Sequence, residues 1–245
     1  MKSLRYLILV SLPFLLGFLA LQAQEPPPGM ASYYFVFLKA GSAELSEQES
    51  GEIMQAHVAH LSRQWEEGRL VASGPLIEAG ELRGIAIYRT TSLEQARQAA
   101  TSDPAVRAGL LQVRILTWWG PEGIGDGYKQ WASENPGQPD PMKEYQLVLL
   151  KRGPKADAFQ GEEARELQAA HLANIRKMAE AGQLLVAGPF LDGDSLRGIF
   201  VLTMDSVEEA RQASRQDPAV QAGRLEMEIH RLAMAEGSFP KPELP

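Results

Sequence analysis

Residues 57 to 109 of this chain are written again, in recognisable form, at residues 171 to 223. The two segments align without a gap at a constant offset of 114, and 23 of the 53 paired positions are identical. Agreement of that density at a fixed period marks a duplicated structural unit. The matched anchors are Gly74-Pro75 with Gly188-Pro189, Leu82-Arg83-Gly84-Ile85 with Leu196-Arg197-Gly198-Ile199, and Asp103-Pro104-Ala105-Val106 with Asp217-Pro218-Ala219-Val220. Upstream the match continues after a two-residue slip, with Lys39-Ala40-Gly41 facing Lys151-Arg152-Gly153. The fold must therefore be a unit of roughly 100 residues that can be built twice and still bury a core.

Each copy reads as strand, helix, strand, strand, helix, strand. In copy one, residues 33–39 are aromatic and apolar and stop at Gly41, as a strand does. Ser46-Glu47-Gln48-Glu49 is a capping-box pattern, and Gly68 is placed to end the helix it starts. Ile53, His57, Leu61 and Trp65 recur every four residues along that helix, giving one inward stripe. Residues 70–73 and 82–89 read as strands, Ser92 caps a second helix running to Ala100, and residues 110–118 are the last strand. Copy two repeats the order over 145–151, 162–181, 184–187, 196–203, 206–215 and 224–232. This is the split βαβ pattern: an α+β fold of two ferredoxin-like βαββαβ repeats, each with two helices on one face of a four-stranded sheet. The bare sheet faces are expected to pack on each other as an intramolecular pseudo-dimer of the dimeric α/β-barrel type, which a monomer can complete alone.

Outside the repeats, Lys2 and Arg5 precede an apolar run to Ala20 that is shorter than a membrane-spanning helix, and Ala23 offers a cleavage edge. The expected organisation is a signal peptide at 1–23, a Pro-rich leader at 24–32, repeat one at 33–119, a Gly/Pro-rich linker at 120–142, repeat two at 143–235 and a tail at 236–245. Tyr128 and Trp131 imply that the linker wraps against the body rather than dangling. The mature protein is then expected to be secreted or periplasmic. With no cysteine, packing alone must hold it together. A formal charge of −7 without a basic cluster argues against nucleic acid and an anionic membrane as partners.

In both copies the helix His, the Gly-Pro closing the second strand and an Asp-Pro-Ala-Val-x-Ala-Gly stretch occur in one order. These are His57, Gly74-Pro75 and Asp103 to Gly109, then His171, Gly188-Pro189 and Asp217 to Gly223. This ordered set resembles the YCII-related domains, over both halves of the chain. The resemblance implies a ferredoxin-like domain that pairs into a dimeric α+β barrel, with a His–Asp dyad in a cleft between helix and sheet. Most members of that family have no known reaction; a characterised relative is a dehydrochlorinase acting on a chlorinated hydroxyquinol.

The candidate catalytic residues are accordingly His57 with Asp103 and His171 with Asp217. A carboxylate on one imidazole nitrogen fixes the tautomer and raises the basicity of the other, which can then take a proton from a phenol, an enol or water. The competing reading is structural. Both histidines lie on apolar helix stripes, and both aspartates precede Pro, the arrangement of a helix N-cap. Arg83, Arg197 and Trp118 are candidate substrate-binding residues, with Trp118-Trp119 making copy one the more elaborate. His60 follows His57 by one turn, but its counterpart is Asn174, so it is read as a polar flank residue rather than a metal ligand. His230 is read as structural. No serine–histidine–acid order, phosphate loop or nicotinamide fingerprint occurs. The function expected is cofactor-free and metal-free acid/base chemistry on a small aromatic or enolic molecule, the alternative being a non-catalytic binding or structural module.

Overall fold

The central strand of each repeat is buried on both faces, and this shapes the whole molecule. In the computed structural model, which describes residues 25–78 and 80–241, β1 (Met30–Ala40) pairs antiparallel with β3 (Leu82–Tyr88) and with β4 (Leu111–Pro121). β2 (Leu70–Pro75) lies outside β3, giving the order β2-β3-β1-β4. The second sheet repeats it as β6-β7-β5-β8, with β5 at Met142–Arg152, β6 at Leu184–Pro189, β7 at Leu196–Leu202 and β8 at Leu225–Ala235. The expected signal peptide and the last four residues of the expected tail lie outside the described residues.

Strand alternation distributes the core. Tyr33, Phe35 and Phe37 of β1 meet Tyr145, Leu147 and Leu149 of β5 between the sheets. Val36 and Leu38, pointing the other way, pack under α1 (Glu47–Glu66) and α2 (Leu93–Thr101). Val148 and Leu150 do the same in the second repeat. There the helices are α5 (Gly161–Glu180) and α6 (Val207–Ser214). Two one-turn helices, α3 (Pro104–Arg107) and α7 (Pro218–Gln221), lead into the final strand of each repeat. The capping box at Ser46 forms as read, with Glu49 N–H donating to Ser46 Oγ at 3.2 Å and Ser46 N–H to Glu49 Oε2 at 3.0 Å.

The sheets join edge to edge as well as face to face. Bridges at Trp118–Phe190 and Leu76–Leu232 set β4 beside β6 and β8 beside β2. Leu191 N–H donates to Thr117 O at 3.0 Å and Ile77 N–H to Arg231 O at 2.9 Å. This seam explains the paired Gly-Pro anchors. A Cβ at Gly188 would lie 2.0 Å from Trp119 O, and one at Gly74 would lie 2.0 Å from Ala233 O. No side chain fits there, because the backbone of the other repeat occupies the space.

Two segments read as connections are built into the body. Within 120–142, a helix α4 (Asp126–Glu134) stacks Tyr128 between Trp65 and Trp131, with ring centroids 5.6 and 6.1 Å away. The expected tail is no tail in its described part: Phe239 is buried edge-on against Tyr145. In each repeat the last strand turns at a Glu-Gly pair and returns an apolar side chain, Ile124 or Phe239, to the inter-sheet core. Among the described residues no helix is long and apolar enough to cross a membrane.

Candidate functional site

Both expected dyads form, and the two readings of the aspartate hold together. Asp103 is the N-cap of α3, its Oδ1 accepting the Ala105 N–H at 2.8 Å, while Oδ2 lies 2.7 Å from His57 Nδ1. In the second repeat Asp217 Oδ1 accepts from Ala219 N–H at 2.9 Å and Oδ2 lies 2.8 Å from His171 Nδ1. One carboxylate oxygen anchors the aspartate to the backbone, and the other is thereby aimed at the imidazole. A carboxylate only accepts, so Nδ1 carries the proton and the Nε2 of a neutral ring is left with a lone pair. Both pairs are more than nine-tenths buried. Neither Nε2 has a hydrogen-bond partner among the described residues.

The surroundings of the two pairs differ. Asn174 donates from Nδ2 to Asp217 Oδ2 at 3.1 Å, giving that oxygen a second donor. Its counterpart His60 turns away, donating from Nε2 to Ala99 O at 3.0 Å, and is buried. The flank position expected of His60 is thus corrected. It continues the buried face of α1 with His57 and Gln64, the i+3 and i+4 spacing that could have shown it. Phe200 stacks on His171, with centroids 6.0 Å apart and planes 22° apart, where repeat one has Ala86. Tyr88, in place of Leu202, lies near Asp103; burial first, and then that carboxylate, push its phenol far above the ordinary range.

His171 forms part of the wall of a cavity of about 680 Å³ between α5 and the second sheet, a volume ordinary for a small-molecule site. Arg197, Arg152 and Arg224 also line it, as does Trp119, which reaches it from the end of β4 in repeat one. Pro27 and Met30, from the expected leader, complete the wall on that side. Arg83, the counterpart of Arg197, is exposed on repeat one and lies outside this cavity.

Trp118 does not reach it either. In register with Tyr33, it faces the inter-sheet core, fully buried with its centroid 5.6 Å from those of Tyr33 and Phe35. Of the adjacent tryptophans Trp119 lines a cavity, the one in repeat two, so the pair expected to elaborate the cleft of copy one contributes a side chain to that of copy two. His230 sits on β8 with Nε2 2.6 Å from Glu228 Oε1. Lys151 binds the same carboxylate.

The YCII-related domain family matches the chain twice, over residues 33–120 and 145–232. Among solved structures, a mutant chlorite dismutase from Candidatus Nitrospira defluvii in complex with cyanide aligns with a TM-score of 0.54 at 13% identity, covering 86% of this chain and 92% of that one. The same enzyme in complex with imidazole aligns at 0.53 and 12% identity, covering 85% and 92%. At such identities the likeness is one of fold: two four-stranded sheets, each with its helices, closed into one barrel. No curated protein matches the chain.

Proposed function

The chain belongs to the YCII-related domain family through both of its repeats, and on that premise we propose that repeat two is a site of cofactor-free general acid/base chemistry on a small aromatic or enolic molecule. His171 is the base, acting through Nε2. Asp217 holds its tautomer and balances the imidazolium that forms, and Arg197 binds the substrate. The observation that carries this reading is a buried, carboxylate-oriented imidazole in the wall of an open cavity, with no hydrogen-bond partner for Nε2 among the described residues. Proton transfer by a group so placed contributes about 10²- to 10⁴-fold to a rate. The chain acts as a secreted or periplasmic monomer after loss of residues 1–23, with a small molecule as its partner. The His57–Asp103 pair, where Ala40 and Leu110 stand in place of Arg152 and Arg224, serves packing.

A generic carbon acid tests the base without knowledge of the natural substrate. With 5-nitrobenzisoxazole, Nε2 takes the C3 proton as the N–O bond breaks, and the coloured cyanophenolate is released. The protein should accelerate this elimination above buffer, more so as pH rises and the imidazole loses its own proton. His171→Gln should bring the rate to background and Asp217→Asn should lower it at least tenfold. His57→Gln should keep most of it, with circular dichroism checking each fold. A wild-type rate no higher than that of His171→Gln would remove the catalytic reading.

A further inference from the structure

We propose that the repeat-two cavity is built for a small organic carboxylate, held by Arg197 and Arg224 with its apolar body against Trp119 and Phe200. This rests on repeat two being the ligand site, and it names what that site takes.

Three guanidinium groups line the cavity, and among the described residues no aspartate or glutamate does. One of the three is partly neutralised. Arg152 is bonded to Asp157, whose carboxyl is held below its usual range by that contact and, more weakly, by Arg197. Arg224 gives Nη1 to Ala164 O at 2.9 Å, a neutral acceptor that positions the side chain without cancelling its charge. Two positive charges are thus left facing one concave surface, in a chain whose net charge is −7. Gathering like charges costs free energy unless an anion occupies the space between them.

Arg197 keeps an arginine counterpart in Arg83, but the fold itself does not ask for Arg224. Repeat one is an internal control with the same topology, the same dyad and the same strand register. At the end of its central strand Ala40 pairs with Leu111, where repeat two pairs Arg152 with Leu225. Leu110 stands where repeat two has Arg224. Apolar residues satisfy those places in one copy; in the other Arg152 is answered by Asp157, whereas Arg224, with no ion pair among the described residues, answers to something outside the chain. A guanidinium fork matches a carboxylate bidentately, which fixes orientation as well as affinity. A carboxylate so anchored sets the rest of a small ligand within the cavity that His171 lines.

Benzoate and its neutral isostere benzamide are the probes, titrated calorimetrically into the full mature chain at low ionic strength. Benzoate should bind at least tenfold more tightly than benzamide, and added salt should weaken only benzoate. Arg197→Gln and Arg224→Gln should each weaken benzoate about tenfold while leaving benzamide within twofold. Arg63→Gln, on the exposed face of α1, should change neither. His171→Gln should keep benzoate binding within threefold, so failure of the catalytic reading and failure of the anion site give different results. No benzoate binding at concentrations on the order of 10 mM, equal binding of the two probes, or indifference to both arginine substitutions would each overturn the proposal.

Discussion

The two repeats hold the same histidine–aspartate bond, at 2.7 and 2.8 Å, in two different settings. In repeat one the carboxylate has the imidazole and a backbone N–H as donors and a buried phenol nearby. In repeat two it gains Asn174, the imidazole gains an aromatic platform in Phe200, and His171 belongs to the wall of an arginine-lined cavity. Duplication kept the pair and its capping geometry in both places, and the surroundings alone separate the packing role proposed for one from the chemical role proposed for the other. A dyad is therefore a weak signature by itself; the cavity beside it decides what it does.

The comparison can be broken first where the repeats ought to be equal. Gly74→Ala and Gly188→Ala each drive a methyl into backbone of the opposite repeat, and each should destabilise by about 3 kcal/mol or more in urea melts. If either were tolerated, the closed seam would not be the shared constraint described here. Next comes a graded difference. Asp217→Ala removes a cap worth about 1 kcal/mol and strands two side-chain donors, against one for Asp103→Ala. The expected losses are about 3 and about 2 kcal/mol, and equal losses would deny Asn174 its place in the network. Smallest is an effect confined to repeat one, whose Trp65 supports the connecting helix where repeat two has Ala179. Burial, then the bond donated to Asp140, push the Tyr128 phenol up to about 12. A raised pKa means stability that is fully present below the unfolded value near 10 and is lost as pH rises to about 12. Tyr128→Phe should remove that part of the alkaline stability loss, and the tyrosine absorbance titration should lose one late-ionising group.

Much of the fold was legible because it is local. The capping box at Ser46, the four-residue stripe through His57 and the Asp-Pro start of α3 each declare themselves within one or two turns. The dyad was legible through the resemblance to the YCII-related domains, supported by the recurrence of both members at the same offset. What escaped depends on contacts between the copies. Alternation says that Trp118 and Trp119 face opposite ways, but which side meets a cavity is set by the β4–β6 seam, which no local pattern encodes. The helix α4 and the Phe239 cap escaped because their apolar partners, Trp65 and Tyr145, lie far away in the chain. Arg152 and Arg224 were visible as replacements of Ala40 and Leu110, and comparing the copies position by position would have found them.

The central claim is that Asp217 holds the His171 proton on Nδ1 and leaves Nε2 free for chemistry. Long-range ¹H–¹⁵N NMR of the mature protein, at a pH where its imidazoles are neutral, reads the tautomer of each ring directly. His57 and His171 should appear as Nδ1–H tautomers, with His60 as the opposite, Nε2–H form fixed by the Ala99 carbonyl. Benzoate should then move the Nε2 resonance of His171 while leaving that of His57 in place. A His171 ring protonated on Nε2, or one averaging between tautomers like an exposed imidazole, would contradict the account.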